Sequence, residues 1–258
     1  MPVVDRPDWG RVEDVIIPSA DGGWLEVWRV TPERPNGHGI VLVHGWGRNR
    51  DRMVARARYF ARWGYTTIMH SARDHGNSSA LAAVNTMSFC EDIESVLDWH
   101  DQPVLLYGHS AGSGGAVIAA VRNPDRIRLL FLEAVYFDTR DALIHLYRWG
   151  NRLVGTLFGP AIVFVLNIFN RGALDLLSPG RLAGHMAMPV MIVHGERDRR
   201  FPQRFARQLS GAFKPGQACL FIAPGARHST SFQSPDTPVR ISSFLKNRGY
   251  PAEPTERI

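Results

Sequence analysis

The feature that most constrains this chain is the stretch VLLYGHSAGSGGAV, residues 104–117, in which an apolar run ends at a serine set among small residues. Residues 104–107 are typical of a buried strand. The segment from Ala111 onward is small and apolar, as in a helix that packs closely on a sheet. Ser110 is therefore predicted to lie at a tight turn from strand to helix, which favours an α/β architecture.

Residues 108–112, GHSAG, match the pattern G-x-S-x-G of the nucleophile elbow, a strained turn that lifts a serine hydroxyl above the end of a sheet. Such a turn crowds the positions two before and two after the serine, and glycine occupies both. A serine hydroxyl is a weak nucleophile at neutral pH, so it needs a base, a group that orients the base, and donors for an oxyanion.

Candidates for these partners follow the serine in the order acid, then base. In PVMIVHGERDRRFP, an apolar strand precedes a polar loop with Glu196 and Asp198, and Asp198 is the predicted acid. His228 is the predicted base, because it is the only histidine C-terminal to Asp198 and it follows the last apolar strand. The predicted oxyanion donors are the amides of Ala111 and of Trp46, which lies in the loop of VLVHGWGRN.

Strand and helix patterns alternate along most of the chain. Residues 12–17 and 24–30 flank the turn signal ADGG and predict an antiparallel hairpin. The later alternation of strands and helices indicates a mostly parallel sheet that is covered on both faces. Beyond the hairpin and the elbow helix, we predict strands at 40–43, 65–69, 103–107, 128–132, 190–193 and 218–222, and helices at 52–63, 86–99, 202–213 and 239–247.

A long segment between the strands at 128–132 and 190–193 interrupts the alternation and contains the uncharged run LVGTLFGPAIVFVLNIFN, residues 153–170. We expect a helical cap inserted at residues 138–185, whose apolar helices roof an acyl pocket, and a core formed by residues 1–137 and 186–258. A packing insertion is one alternative. Contact of residues 153–170 with a membrane surface is the less favoured one.

Composition narrows the classes of function. The formal charge is +6, but the six arginines within residues 48–62 are interpreted as a solvated face, because no nucleic-acid recognition motif accompanies them. Cys90 and Cys219 lack metal-ligand spacing and predict neither a zinc site nor a disulfide framework. The first residues show no signal-peptide pattern, so a cytoplasmic location is expected.

Several segments, in order, resemble the α/β-hydrolase superfamily over nearly the whole chain: HGWG (44–47), SARDHGNSS (71–79), GHSAG, HGERDRRFP and GARHS. The resemblance implies eight strands with the second antiparallel, a cap after the sixth, and a catalytic triad of Ser110, Asp198 and His228. It also implies that Arg73 and His75 support a loop and take no part in the chemistry.

The expected reaction is transfer of an acyl group from an ester to water through an acyl-enzyme on Ser110, with no cofactor or metal. The apolar insertion favours a substrate with an apolar acyl or alcohol part. A serine carboxylesterase is the first hypothesis; the alternatives are a thioesterase, a lysophospholipase-like hydrolase, and a non-catalytic binding protein on the same fold. Some members of the superfamily place the acid at the end of the sixth strand, so Glu133 is the alternative to Asp198.

Overall fold

The computed structural model describes residues 6–254, so the expected core boundaries at residues 1 and 258 lie outside the described range. Eight strands form a single sheet. They are β1 (Arg11–Pro18), β2 (Trp24–Thr31), β3 (Gly39–Val43), β4 (Thr66–His70), β5 (Val104–His109), β6 (Ile127–Glu133), β7 (Val190–Gly195) and β8 (Ala218–Ala223).

The strands lie in the order β1-β2-β4-β3-β5-β6-β7-β8. The hairpin strands β1 and β2 are antiparallel, β2 is antiparallel to β4, and β3 to β8 run parallel to one another. The predicted α/β-hydrolase fold is therefore confirmed, including eight strands of which the second is antiparallel. Parallel strands place their carboxyl ends along one edge, which is where loops from different strands can meet.

Ten α-helices are present in the described residues. They are α1 (Val54–Ala61), α2 (Thr86–His100), α3 (Ala111–Arg122), α4 (Thr139–Gly150), α5 (Arg152–Leu157), α6 (Gly159–Phe169), α7 (Ala173–Leu176), α8 (Pro179–Leu182), α9 (Gln203–Gly211) and α10 (Asp236–Lys246).

Both faces of the sheet are buried because successive side chains of a strand point to opposite faces. In β3, Val41 and Val43 join the core beneath α2, α3 and α9, whereas Ile40 and Leu42 join the core beneath α1 and α10. The continuous apolar runs of the central strands thus supply two cores at once, which is why they showed no alternation in the sequence.

The segment between β6 and β7 folds into five helices, α4 to α8. Its apolar side chains, however, do not roof the ends of the strands as expected. Leu153, Leu157, Phe164 and Phe169 are all exposed, and of α6 only Gly159 and Val163 are buried. The short helices α5 and α6 pack mainly on α4, which separates them from the core. Within residues 6–254 no helix has both the length and the apolarity needed to cross a membrane.

The arginine-rich segment at residues 48–62 is not the simple solvated face that its composition suggested. Arg50 and Arg56 are buried. Arg50 donates to Asp14 at 2.8 Å and stacks on the Trp28 ring at 4.0 Å. Arg56 pairs with Glu133 in the interior. Two of the six clustered arginines therefore belong to separate ion pairs, each with its own carboxylate partner, whereas Arg48 and Arg52 are exposed as predicted.

Candidate active site

Ser110 occupies a strained turn between β5 and α3. Its φ of 55° and ψ of −118° lie in a region that non-glycine residues rarely adopt. The flanking glycines are required by space. A Cβ on Gly108 would lie 2.6 Å from the Gly112 carbonyl oxygen, and a Cβ on Gly112 would lie 2.4 Å from the His44 carbonyl oxygen. The turn thus holds the serine hydroxyl at the carboxyl edge of the sheet.

His228 and Asp198 meet Ser110 at this edge, although they come from the loops after β8 and β7. The Ser110 Oγ lies 2.9 Å from His228 Nε2, and His228 Nδ1 lies 2.7 Å from Asp198 Oδ2. A carboxylate can only accept hydrogen bonds, so Nδ1 carries the proton and Nε2 is free to accept the serine proton. The structure therefore brings together all three residues that the sequence singled out.

Asp198 is held as a charged acceptor. Its Oδ1 accepts hydrogen bonds from the amides of Arg200 and Phe201, at 2.8 and 2.9 Å. Burial raises the pKa of this carboxyl, but the hydrogen bond and charge of His228 and the Phe201 amide outweigh burial and leave the pKa below its ordinary value. Asp198 consequently stays ionised near neutral pH and fixes the imidazole of His228 in one orientation.

The loop after β3, which carries Trp46, is held from both sides. Gly45 lies beside the elbow: a Cβ on it would be 3.0 Å from the Ser110 Cβ. The His44 Nδ1 donates to the Gly45 carbonyl at 2.8 Å, and the Gly47 amide donates to His75 Nε2 at 3.1 Å. The backbone of Trp46 is therefore fixed next to Ser110, while its indole is 61% exposed at the mouth of the site.

Arg73 and His75 lie beneath the loop of Trp46, where they can support that loop. Arg73 is buried and its Nε donates to Asp92 at 2.6 Å. His75 donates through Nδ1 to the Arg73 carbonyl at 3.0 Å, which orients its other nitrogen toward Gly47. Neither residue is hydrogen-bonded to Ser110 or His228. The motif that contains them thus connects the loop of Trp46 to α2 through Asp92.

His109, the variable residue of the elbow motif, was not predicted to have a role. It is buried, and its Nε2 donates to the His228 carbonyl at 3.1 Å. Burial lowers the pKa of His109 to about 3, so the ring stays neutral. The contact holds the backbone of the histidine loop against β5. Only its position next to Ser110 could have drawn attention to it in the sequence.

Glu133, the alternative acid, is engaged elsewhere. It is fully buried and accepts hydrogen bonds from Arg56, Tyr107 and Ser231. Burial raises the pKa of Glu133, but the Arg56 guanidinium more than compensates and holds this pKa at about 2. The hydrogen-bond partner of His228 Nδ1 is Asp198. The sequence offered Glu133 only as an alternative acid, and it gave no signal for the contacts of Glu133 with Arg56 and Ser231.

An apolar wall adjoins the site beneath α4. Tyr136, Ala142, Phe201 and Phe205 form a buried cluster. The Phe201 ring lies 5.2 Å from the His228 ring, and 5.4 Å from that of Tyr136. This wall places apolar surface beside the nucleophile without any charged group in the cluster itself. Across residues 6–254, no three histidine, cysteine or acidic side chains are arranged to hold a metal ion.

Chemically, the arrangement suits proton removal from a serine. A hydroxyl within hydrogen-bond distance of a neutral imidazole, whose other nitrogen faces a buried carboxylate, can become a nucleophile without a free hydroxide. The strained turn keeps the Ser110 hydroxyl accessible to a substrate. The Ser110 backbone amide instead donates a hydrogen bond to the Glu133 carbonyl at 2.9 Å.

Comparison with known proteins gives a family match. The model of the Hydrolase_4 family, described as serine aminopeptidase, S33, matches residues 35–168 of this chain. This region includes the loop of Trp46, the elbow and most of the inserted helices. The acid and base loops follow it in the chain.

Curated relatives are distant. Lysophosphatidylserine lipase ABHD12 of Macaca fascicularis is 25% identical over 81% of this chain and 56% of its own length. The (E)-2-((N-methylformamido)methylene)succinate hydrolase of Acinetobacter baylyi is 34% identical over 43% of each chain. This chain thus matches little more than half of the lipase, whose remaining length has no counterpart in the alignment.

Solved structures share the fold. A membrane phospholipase A, described as a bacterial virulence factor, superposes with a TM-score of 0.71 at 16% identity, over 92% of this chain and 86% of its own. An esterase from Pyrococcus furiosus gives 0.71 at 16% identity, over 92% and 91%. At this level of identity the likeness establishes the architecture and leaves the substrate to the site.

Proposed function

Because this chain belongs to the Hydrolase_4 (serine aminopeptidase, S33) family of α/β hydrolases, we propose that it is a serine hydrolase that cleaves carboxylic esters through an acyl-enzyme. The observation that carries the proposal is the continuous hydrogen-bonded series from Ser110 through His228 to Asp198. We propose these three as the catalytic residues, with Asp198 and not Glu133 as the acid.

In the first half-reaction, Ser110 Oγ attacks the ester carbonyl carbon and its proton passes to His228 Nε2. The carbonyl oxygen becomes an oxyanion, for which we propose the amides of Trp46 and Ala111 as donors. When the tetrahedral intermediate collapses, the bond to the leaving alcohol breaks, and the alcohol takes the proton from Nε2. Asp198 stabilises the imidazolium that forms between these steps.

In the second half-reaction, water enters where the alcohol left. His228 Nε2 takes a proton from the water as the water oxygen attacks the acyl carbon. Collapse of this second intermediate breaks the bond to Ser110, which recovers its proton from Nε2. The products are a carboxylic acid and the free enzyme, and the scheme needs no group other than the residues of this chain and water.

We propose an ester with an apolar acyl or alcohol part as the substrate class. The wall of Tyr136, Phe201 and Phe205 supports this choice, since burial of an alkyl chain against apolar side chains is favourable. The two buried carboxylates at the site, Asp198 and Glu133, are both occupied by internal partners. Neither is available to bind a free amine, so peptidase activity at an N-terminus is not proposed.

A lysophospholipase-like activity is the second candidate. It is favoured by the exposed apolar helices α5 and α6, which pack on α4, and by similarity to proteins named lysophosphatidylserine lipases. A single-chain phospholipid contains a carboxylic ester bond of the same kind as that of a simple ester. The two candidates therefore share one mechanism and differ in the polar group that leaves.

The test is intact mass after incubation with a fluorophosphonate, which labels an activated serine whatever the substrate. We expect one adduct on wild type and none on Ser110→Ala, while Ser243→Ala, a matched change of an exposed serine on α10, labels like wild type. No adduct on wild type would point to the non-catalytic alternative, and labelling of Ser110→Ala would mean that the activated serine is not Ser110.

Turnover of a series of esters with graded acyl length then identifies the substrate class. We expect kcat/KM to rise with acyl length over the first members, because each added methylene buries more apolar surface. A clear preference for acyl-CoA over the oxygen esters would identify a thioesterase. A preference for lysophospholipids over simple esters of the same acyl chain would select the second candidate.

A further inference from the structure

The exposed apolar side chains of this protein are concentrated in one place. Of the sixteen large apolar side chains that are exposed in residues 6–254, twelve lie between Tyr147 and Leu176. Soluble proteins rarely leave a contiguous apolar area of this kind uncovered without a partner for it. We call the surface formed by α5 and α6 the apolar cap face; its main members are Leu153, Leu157, Phe158, Phe164, Ile168 and Phe169.

The geometry of the two helices presents these side chains outward together. Phe158 is the single residue between α5 and α6 and caps both helices, so the two helices form one continuous apolar element. Phe169 at its far end is 81% exposed and Leu153 at its near end is 70% exposed. With 6 and 11 residues, the helices are far shorter than the roughly 20 residues of a membrane span, so they suit a position in the plane of a surface.

The charged side chains of the segment that forms the face have a single sign. Residues 142–174 contain no aspartate or glutamate and contain Arg148, Arg152 and Arg171, all of them exposed. The exposed Asp141, in the first turn of α4, directly precedes this segment, and Asp175, which directly follows it, accepts hydrogen bonds from Arg140 and Asn167. The rim of the apolar cap face is therefore positive.

This charge pattern distinguishes two possible partners of the apolar cap face, a second copy of this chain and a lipid bilayer. In a symmetric dimer the same patch meets itself, so the arginines of one rim would oppose those of the other. A bilayer surface with anionic headgroups offers an apolar region for the helices and phosphates for the arginines. Trp149 and Tyr147, both exposed at the end of α4, add aromatic side chains of the type found at the boundary between headgroups and acyl chains.

We infer that the apolar cap face docks on an anionic lipid bilayer. The same helix that carries the aromatic pair also lies over the site: Ala142 of α4 packs in the cluster with Phe201 and Phe205. Arg200, which lies in the loop of Asp198, stacks on Trp149 at 4.5 Å. Docking would therefore bring the mouth of the site to the lipid surface. The inference does not depend on catalysis, since an inactive chain would dock equally.

The experiment measures co-sedimentation of the Ser110→Ala chain with vesicles, so that turnover cannot affect the result. One set of vesicles contains phosphatidylcholine and phosphatidylglycerol in equal amounts, and the other contains phosphatidylcholine alone. We expect binding to the mixed vesicles that weakens as salt rises, and much weaker binding to the neutral ones. Protein that stays in the supernatant with mixed vesicles, or that binds both sets equally, overturns the inference.

Variants locate the contact. Phe164→Ser combined with Phe169→Ser should weaken binding by at least about a hundredfold, because two large apolar side chains no longer enter the bilayer. Ile16→Ser combined with Val239→Ser, which alters two side chains of similar exposure away from the cap, should bind like the parent. If the phenylalanine variant binds as well as the parent, the cap face is not the contact.

The arginines provide an independent check. Arg152→Gln with Arg171→Gln should weaken binding to mixed vesicles by about thirtyfold, from about 1 kcal/mol for each charge near an anionic surface. Arg128→Gln, on the exposed side of β6, is the matched control and should have no effect. Light scattering without lipid tests the other occupant: a dimer that the phenylalanine variant converts to a monomer would assign this face to a second copy and overturn the inference.

Discussion

The hydroxyl of Ser231 lies 2.5 Å from Oε1 of Glu133, although 98 positions separate the two residues in the chain. Ser231 follows His228 by three residues, and the carbonyl of Glu133 accepts hydrogen bonds from both the Ser110 amide and the Ser113 hydroxyl. One residue at the end of β6 therefore contacts the nucleophile turn through its backbone and the histidine loop through its side chain.

The first prediction concerns this connection. Ser231→Ala should lower kcat by about tenfold and change KM little, because loss of one hydrogen bond of about 1–2 kcal/mol loosens the loop that positions His228. Ester turnover measures kcat and KM, and thermal melting measures the stability lost with the hydrogen bond. Ser243→Ala is the control for removal of an exposed hydroxyl. Unchanged kcat in Ser231→Ala would show that the histidine loop is positioned without Glu133.

The second prediction separates the two carboxylates. Asp198→Asn should lower kcat by about 10⁴ and leave the fold intact, because the asparagine favours the wrong imidazole tautomer. Glu133→Gln should instead lower the free energy of unfolding by about 3 kcal/mol or more, since it leaves the buried Arg56 guanidinium without its counter-charge. The comparison requires both kcat and urea unfolding for each variant.

The opposite pattern would reassign the acid. If Glu133→Gln abolished turnover with its stability unchanged while Asp198→Asn remained active, Glu133 would be the catalytic carboxylate. Glu133→Asp is a useful intermediate, because it keeps the charge that Arg56 requires and shortens the reach to Ser231. It should be more stable than Glu133→Gln.

The third prediction concerns acid stability. Burial lowers the pKa of His44 and His109 to about 3 and that of His70 to about 4, against an ordinary value near 6.5. A lowered pKa means that the unfolded chain binds more protons, so stability is fully present above about pH 6.5 and is lost as pH falls toward these lower values. Because each of these histidines binds a proton in the unfolded chain, each should lower the free energy of unfolding by about 2 kcal/mol as pH falls from 8 to 5.

His70 provides the sharpest check of this dependence. Neither of its ring nitrogens has a hydrogen-bond partner in the described part of the chain. His70→Leu should therefore be nearly neutral or stabilising at pH 8 and should reduce the loss of stability by pH 5, measured by urea unfolding at both values. A parallel loss in wild type and His70→Leu would mean that His70 does not contribute.

The fourth prediction tests the space around the elbow. Gly112→Ala should lower the free energy of unfolding by about 2–3 kcal/mol, because its Cβ would lie 2.4 Å from one backbone oxygen and 2.8 Å from another. Gly211→Ala, where a Cβ meets nothing within 4 Å at the end of α9, should raise it slightly. Equal melting temperatures for the two variants would contradict the close packing of α3 against β3.

The sequence alone predicted the elements whose signals are local. The elbow at Ser110 was readable because strand, turn and helix each have a short-range pattern, and the need for small residues at Gly108 and Gly112 follows from one turn. The order of acid and base along the chain pointed to Asp198 and His228 for the same reason: each follows an apolar strand, and the carboxyl ends of parallel strands meet at one edge.

Only the tertiary structure decided which distant groups became partners. Arg56 looked like one of six surface arginines, because charge clustering in sequence does not show which side chain turns inward to Glu133. The apolar run at 153–170 predicted burial, yet its two short helices pack on α4 with one side and leave Phe164 and Phe169 exposed. Hydrophobicity is a local property of the chain, whereas burial depends on what the fold brings to cover it, and that information lies in contacts between residues far apart in sequence.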